Sequence, residues 1–173
     1  KLAEITYDAI NFPAPNYLLN DNIATLELFH GPSLAFKDFG ARFMSRIMQY
    51  YNGDNKQELI ILVATSGDTG GAVAFGFHHV PGISVVILYP KGKVSELQEK
   101  QLTTLGGNVH ALEIDGTFDD CQALVKEAFL DKDLNAQLRL SSANSINIAR
   151  LIPQSFYYFE SYRQISENAR KTK

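Results

Sequence analysis

The sequence has a single cysteine, Cys121, no apolar run longer than the six residues of LIILVA (59–64), and little surplus of either charge. Each absence removes a class of protein. One cysteine allows no internal disulfide and excludes a zinc cluster, so a reducing, cytoplasmic setting is expected. The apolar run is far short of the roughly 20 residues that a membrane-spanning helix needs. Sixteen basic residues against nineteen acidic give a net charge of −3, which leaves no electrostatic footprint for nucleic acid or anionic membrane. The opening KLAEITYDAI lacks the basic-then-apolar pattern of a secretory signal. There is no internal repeat, no low-complexity stretch, no G-x-x-x-x-G-K-[ST] phosphate loop and no G-x-G-x-x-G dinucleotide fingerprint.

What remains is an ordinary globular composition over 173 residues, 45% hydrophobic and 20% charged. Four short apolar runs predict strands: ATLELF (24–29), ELIILVA (58–64), ISVVILY (83–89) and NVHALEI (108–114). The second and third are apolar but for Glu58 and Ser84 and rich in Ile and Val, as in strands buried on both faces. Helical spacing lies between them. Phe39, Phe43, Met44, Ile47, Met48 and Tyr51 follow the 3.6-residue period, as do Phe118, Cys121, Leu124, Val125, Ala128 and Phe129. Thr117 with Asp120, and Ser95 with Gln98, have the spacing of capping boxes, and Gly106-Gly107 stops the second of these helices. A long helix is expected from about Ser145 to Ile165, kinked or split at Pro153. The stretch 10–22 is expected to be a surface connection. Alternating strand and helix predict an α/β fold, a Rossmann-like parallel sheet flanked by helices.

Ligands of such folds bind beyond the carboxyl ends of the strands, where helix N-termini collect anions. Two loops there carry chemistry. ATSGDTGGA (64–72) follows a predicted strand and leads into an apparent helix, AVAFGF. Ser66, Gly67, Asp68, Thr69, Gly70 and Gly71 form either a tight strand-to-helix turn or a cradle of backbone N–H groups and hydroxyls around an anion. In LSSANSINIAR (140–150), Ser141, Ser142, Asn144, Ser145 and Asn147 precede a helix, with Arg150 one turn into it. That pattern fits an over-supplied N-cap, or an anion site completed by a guanidinium.

A third stretch, FHGPSLAFKDFG (29–40), sets Lys37 among Phe29, Leu34, Phe36 and Phe39. A lysine in apolar sequence ordinarily lays its stem on a hydrophobic surface and reaches for water. One held away from water is instead an amine nucleophile able to form a Schiff base.

The segments FHGPSLAFKDFGARF (29–43), ILVATSGDTGGA (61–72), VVILYPKGKVSELQEKQLTTLGGN (85–108) and SSANSINIARLIPQ (141–154) resemble, in order and spacing, the threonine synthases. These belong to the fold-type-II enzymes that depend on pyridoxal 5′-phosphate (PLP). The resemblance runs from about Leu26 to Tyr162. Ser33 stands where that family more usually has threonine, which keeps a hydroxyl.

The resemblance implies that Lys37 is the Schiff-base lysine and catalytic residue, kept dry by its aromatic surroundings. It implies that Ser66, Gly67, Asp68 and Thr69 hold the carboxylate of an amino-acid substrate beside the cofactor, with Asp68 also at the cofactor. Asn144, Ser145, Asn147 and Arg150 then lie around the substrate's phosphate. The reaction implied is O-phospho-L-homoserine plus water giving L-threonine and phosphate. The family's Ser-Gly-Asn type cofactor-phosphate loop is absent, and the first residue is not methionine. The chain is therefore expected to be a piece of a longer enzyme, inactive alone, divided into a lysine-bearing segment (1–57), a Rossmann-like small domain (58–144) and a C-terminal helix (145–173). Serine or threonine dehydratases and cysteine synthases share the S-G-[DN]-T-G turn, but would not be expected to carry FHGPSLAFKDFG or NSINIAR. A non-catalytic α/β binding domain is the rival from another class.

Overall fold

The computed structural model describes residues 1–53, 55–144 and 147–171, with side chains to residue 167 in the last helix. Its frame is a parallel sheet of β3 (Leu59–Ala64), β4 (Ile83–Pro90), β5 (Val109–Ile114) and β6 (Arg139–Ser142), in the order β5-β4-β3-β6. Leu59 pairs in register with Ile83 on one side and Arg139 on the other. The two-residue alternation of β3 feeds two cores. Ile61 and Val63 pack with Val85, Ile87, Val73, Phe77, Leu102 and Met44 on one face, and Leu62 packs with Leu88, Cys121 and Val125 on the other. Each fully buried side chain of this size stabilises the fold by about 1.5–3 kcal/mol.

The first face is covered by α2 (Lys37–Asn52), α3 (Asp68–Phe77) and α4 (Glu96–Thr103), and the second by α5 (Phe118–Leu130), followed by the short α6 (Lys132–Gln137). Both expected capping boxes form, Ser95 with Gln98 and Thr117 with Asp120. Beyond α4, Gly106 and Gly107 take φ of 64° and 62°, the left-handed region that glycine enters at least cost. The long α7 (Ile148–Lys171) runs through Pro153 without splitting. It packs on α2, which lies between α7 and α3. Both close approaches use glycine. A Cβ on Gly40 would lie 2.7 Å from the Arg150 carbonyl oxygen, and one on Gly76 would lie 3.0 Å from the Ala41 backbone.

The sequence reading is corrected at the edges. The segment 24–29 does not join the parallel sheet: β1 (Asn16–Asn20) and β2 (Ile23–Leu26) form a separate antiparallel pair with Leu18, Leu19 and Ile23 exposed. Part of the expected connection 10–22 is thus a strand. The N-terminal helix α1 (Leu2–Ala9) and strand β6 also lie in stretches not read as regular structure.

From β3 the chain steps outward through β4 to β5, then crosses back to place β6 on the other side of β3. The loops leaving the adjacent, parallel β3 and β6 therefore lie side by side at the carboxyl edge of the sheet, where α/β folds bind ligands.

Candidate functional site

The loop after β3 is organised by a residue that the sequence pattern did not single out. Thr65 is 1% exposed, and its hydroxyl accepts from Gly67 N (3.0 Å) and Gly70 N (2.8 Å) while donating to Gly67 O (3.0 Å). Gly67 takes φ 145°, and a Cβ there would collide with the Gln98 side-chain amide, so both conformation and space require glycine. With Thr65 holding the turn from below, the Ser66 side chain is left exposed and Asp68 opens α3.

The lysine sits on an equally constrained turn. Leu34 N donates to Gly31 O at 3.1 Å, and Leu34 takes the strained φ of 60°. Asp38, fully buried, accepts from Ser33 N at 2.9 Å and Ser33 Oγ at 2.7 Å, and leaves no room for a side chain on Gly31. Burial pushes the Asp38 carboxyl above the usual carboxylate range, against the pull of the Ser33 donors. This clamp fixes the start of α2, where Lys37 is the first helical residue.

Lys37 Nζ lies 3.7 Å from Asp68 Oδ2 and 4.6 Å above the Phe36 ring. The dry aromatic pocket expected around it does not form. Phe29, Leu34 and Phe36 are exposed, and 22% of the lysine side chain meets solvent. Phe39 lies two positions further along the helix, which turns it away; it packs edge-on against Phe12 and Tyr157. What holds Lys37 is the Asp68 carboxylate and one aromatic face.

The loop after β6 forms the helix cap, with Arg150 buried below it. Asn147 is the cap: its Oδ1 accepts from Ala149 N at 3.0 Å and its Nδ2 reaches Ser142 O at 3.4 Å, so its side chain is occupied by the backbone. The Asn144 side chain is exposed, and Ser145 lies outside the described residues. Arg150 is 2% exposed, beneath the helix start. Its Nη1 donates to Ala143 O at 2.6 Å, while Nε has no partner, and no carboxylate pairs with it among the described residues. Burial lowers its proton affinity. A buried cation without a counter-charge is costly, and an anion is the group that would complete it.

Helix α4 ties the two walls together. Gln98 Nε2 donates to Asp68 Oδ1 at 2.8 Å, and Gln101 Nε2 donates to Ser33 O at 3.2 Å. The spacing of Ser95 and Gln98 gave away the cap but not this second contact.

Fold and site define a class: an α/β ligand-binding unit with a lysine–carboxylate pair and a lone buried guanidinium at the sheet's switch point. Comparison with known proteins narrows it. The profile of the family described as "Pyridoxal-phosphate dependent enzyme" matches residues 13–165, and the chain belongs to that family. It is 56% identical over 162 residues to threonine synthase of Serratia marcescens, covering 94% of this chain and 37% of that protein. It is 54% identical over 169 residues to threonine synthase of Escherichia coli K12, covering 98% and 39%. Among solved structures, threonine synthase from Escherichia coli superposes with a TM-score of 0.84 at 56% identity, over 91% of this chain and 36% of that one. PLP-bound threonine synthase from Brucella melitensis superposes with a TM-score of 0.86 at 42% identity, over 93% and 36%. The chain thus spans under two fifths of the length of these relatives.

The residues present fit the family's cofactor. The Lys37 side chain is partly exposed, its amine is only loosely paired with Asp68 at 3.7 Å, and the glycine turn beside it presents small side chains. No described helix is long and apolar enough to cross a membrane.

Proposed function

We propose that the protein containing this chain is a threonine synthase, converting O-phospho-L-homoserine and water to L-threonine and phosphate in the cytoplasm. The observation that carries this reading is Lys37 Nζ facing Asp68 across the glycine turn of a chain 54–56% identical to threonine synthases. PLP, when bound, supplies the electron sink for reaction at the substrate's Cα and Cβ.

This chain's residues supply position and proton handling. Lys37 is the covalent anchor, and its freed amine moves protons at Cα and Cβ. The N-terminus of α3, with the Ser66 and Thr69 hydroxyls and the backbone around Gly67, takes the substrate carboxylate. Asp68 carries a charge of the same sign as that carboxylate, so its part is to hold the Lys37 amine in line. Arg150 and Asn144 take the departing phosphate, with the Asn147 side chain committed to the helix cap.

A dehydratase reading would leave Arg150 without an anion to bind. The test is Lys37→Ala in the product of the full reading frame, assayed for phosphate and threonine release from phosphohomoserine. Turnover should vanish; turnover near wild type would overturn the proposal.

A further inference from the structure

We infer that Gln98 is a positioning residue, whose side-chain amide fixes the Asp68 carboxylate against Lys37. The inference rests on the reading of Lys37 given above. The amide is held at both ends. Its Oε1 accepts from Ser95 N at 3.1 Å and Ser95 Oγ at 3.0 Å, so Nε2 has to face the other way. There it donates to Asp68 Oδ1 at 2.8 Å, leaving Oδ2 to meet Lys37 Nζ at 3.7 Å. The same amide fills the space that a side chain on Gly67 would need.

Three parts of the fold thus meet in one line: the capped start of α4, the glycine turn, and the lysine at the start of α2. Gln101, one turn further along α4, fastens the lysine turn through Ser33 O at 3.2 Å. Because α4 grips both walls, the Lys37–Asp68 separation depends on its first turn as well as on the loops themselves. The charged groups brought to the amide are Asp68 directly and Lys37 through it.

The amide's donor is what matters here, so two substitutions separate donation from bulk. Gln98→Met keeps the length and gives no N–H. Gln98→Glu keeps the shape but sets two carboxyl groups side by side. These repel, so Asp68 loses its donor and is pushed off line, while the acceptor that Ser95 uses in the cap is kept.

In the product of the full reading frame, both variants are compared with wild type. One readout is kcat/KM for phosphohomoserine. The other is independent of turnover: the yield of pyridoxyl-lysine at residue 37 after brief exposure to PLP and borohydride. Gln98→Met should fall at least tenfold in kcat/KM and in labelling yield. Gln98→Glu should fall similarly, although its carboxylate still accepts from Ser95.

The inference is overturned if either variant stays within twofold of wild type. Gln98→Glu also guards against misfolding, since it keeps the side-chain shape and the cap on Ser95. Lys37→Ala separates the two levels. If it is inactive while both Gln98 variants behave as wild type, only the positioning role fails.

Discussion

Arg150→Leu removes the buried guanidinium from the candidate site, and its two expected effects differ in kind. In the absence of ligand, leucine relieves the desolvation of a cation that is 2% exposed and has no carboxylate partner among the described residues. It also strands the Ala143 carbonyl that Nη1 serves at 2.6 Å, at a cost of about 1–3 kcal/mol. These oppose each other, so ligand-free stability should change little. Anion binding has no such compensation. A charge-assisted contact contributes about 1.5–3 kcal/mol, equivalent to roughly a 10- to 150-fold loss in kcat/KM at about 1.4 kcal/mol per factor of ten. Inorganic phosphate at about 100 times its Kd should stabilise wild type by about 2.7 kcal/mol. Thermal unfolding titrated with phosphate, together with kinetics on phosphohomoserine, reads both effects. Arg150→Leu should lose most of the phosphate shift and at least tenfold in kcat/KM. Equal phosphate shifts in the two proteins, with kcat/KM unchanged, would refute the anion role and leave Arg150 a packing residue.

Ser33→Ala deletes the Oγ donor to the buried Asp38 carboxylate and should lower stability by about 1.5–3 kcal/mol in urea unfolding at constant m. Burial raises the folded pKa of Asp38, so that group favours folding in acid and loses its contribution as pH rises through the folded value. The Ser33→Ala penalty is accordingly full at neutral pH, where the carboxylate is charged, and shrinks on acidification; a penalty independent of pH would contradict the clamp. Gly40→Ala places a methyl 2.7 Å from the Arg150 carbonyl and should cost about 1–3 kcal/mol by forcing α2 and α7 apart. A neutral result in the same unfolding assay would show that the crossing has slack.

The central strands and their helices were legible because their side chains obey one period over six or more residues. LIILVA is apolar at every position and ISVVIL at all but Ser84, and both faces of the sheet are covered. Strand β6 was hidden because RLSS is four residues long and mostly polar, so only its pairing with Leu59–Leu62 defines it. The hairpin of β1 and β2 was missed because 24–29 was read as a strand of the main sheet and 10–22 as a surface connection, whereas the two strands pair only with each other and leave Leu18, Leu19 and Ile23 exposed. At the site, residue types that carry chemistry were visible, whereas those that position them were not. Thr65 and Gln98 act through contacts with backbone and side chains up to 30 positions away, which no local period records. Phe39 was assigned to the lysine by proximity in sequence, and helical geometry sends it to Phe12 and Tyr157. Asn147 and Arg150 came from one cluster, but the Ala149 N–H and the Ser142 carbonyl occupy the first and burial isolates the second.

The account stands most directly on Lys37 as the residue that carries the cofactor. The product of the full reading frame, incubated with PLP, reduced with borohydride, digested and examined by mass spectrometry, should carry one pyridoxyl group on the peptide containing Lys37. A pyridoxyl group on Lys91 or Lys93, with Lys37 unmodified, would contradict it.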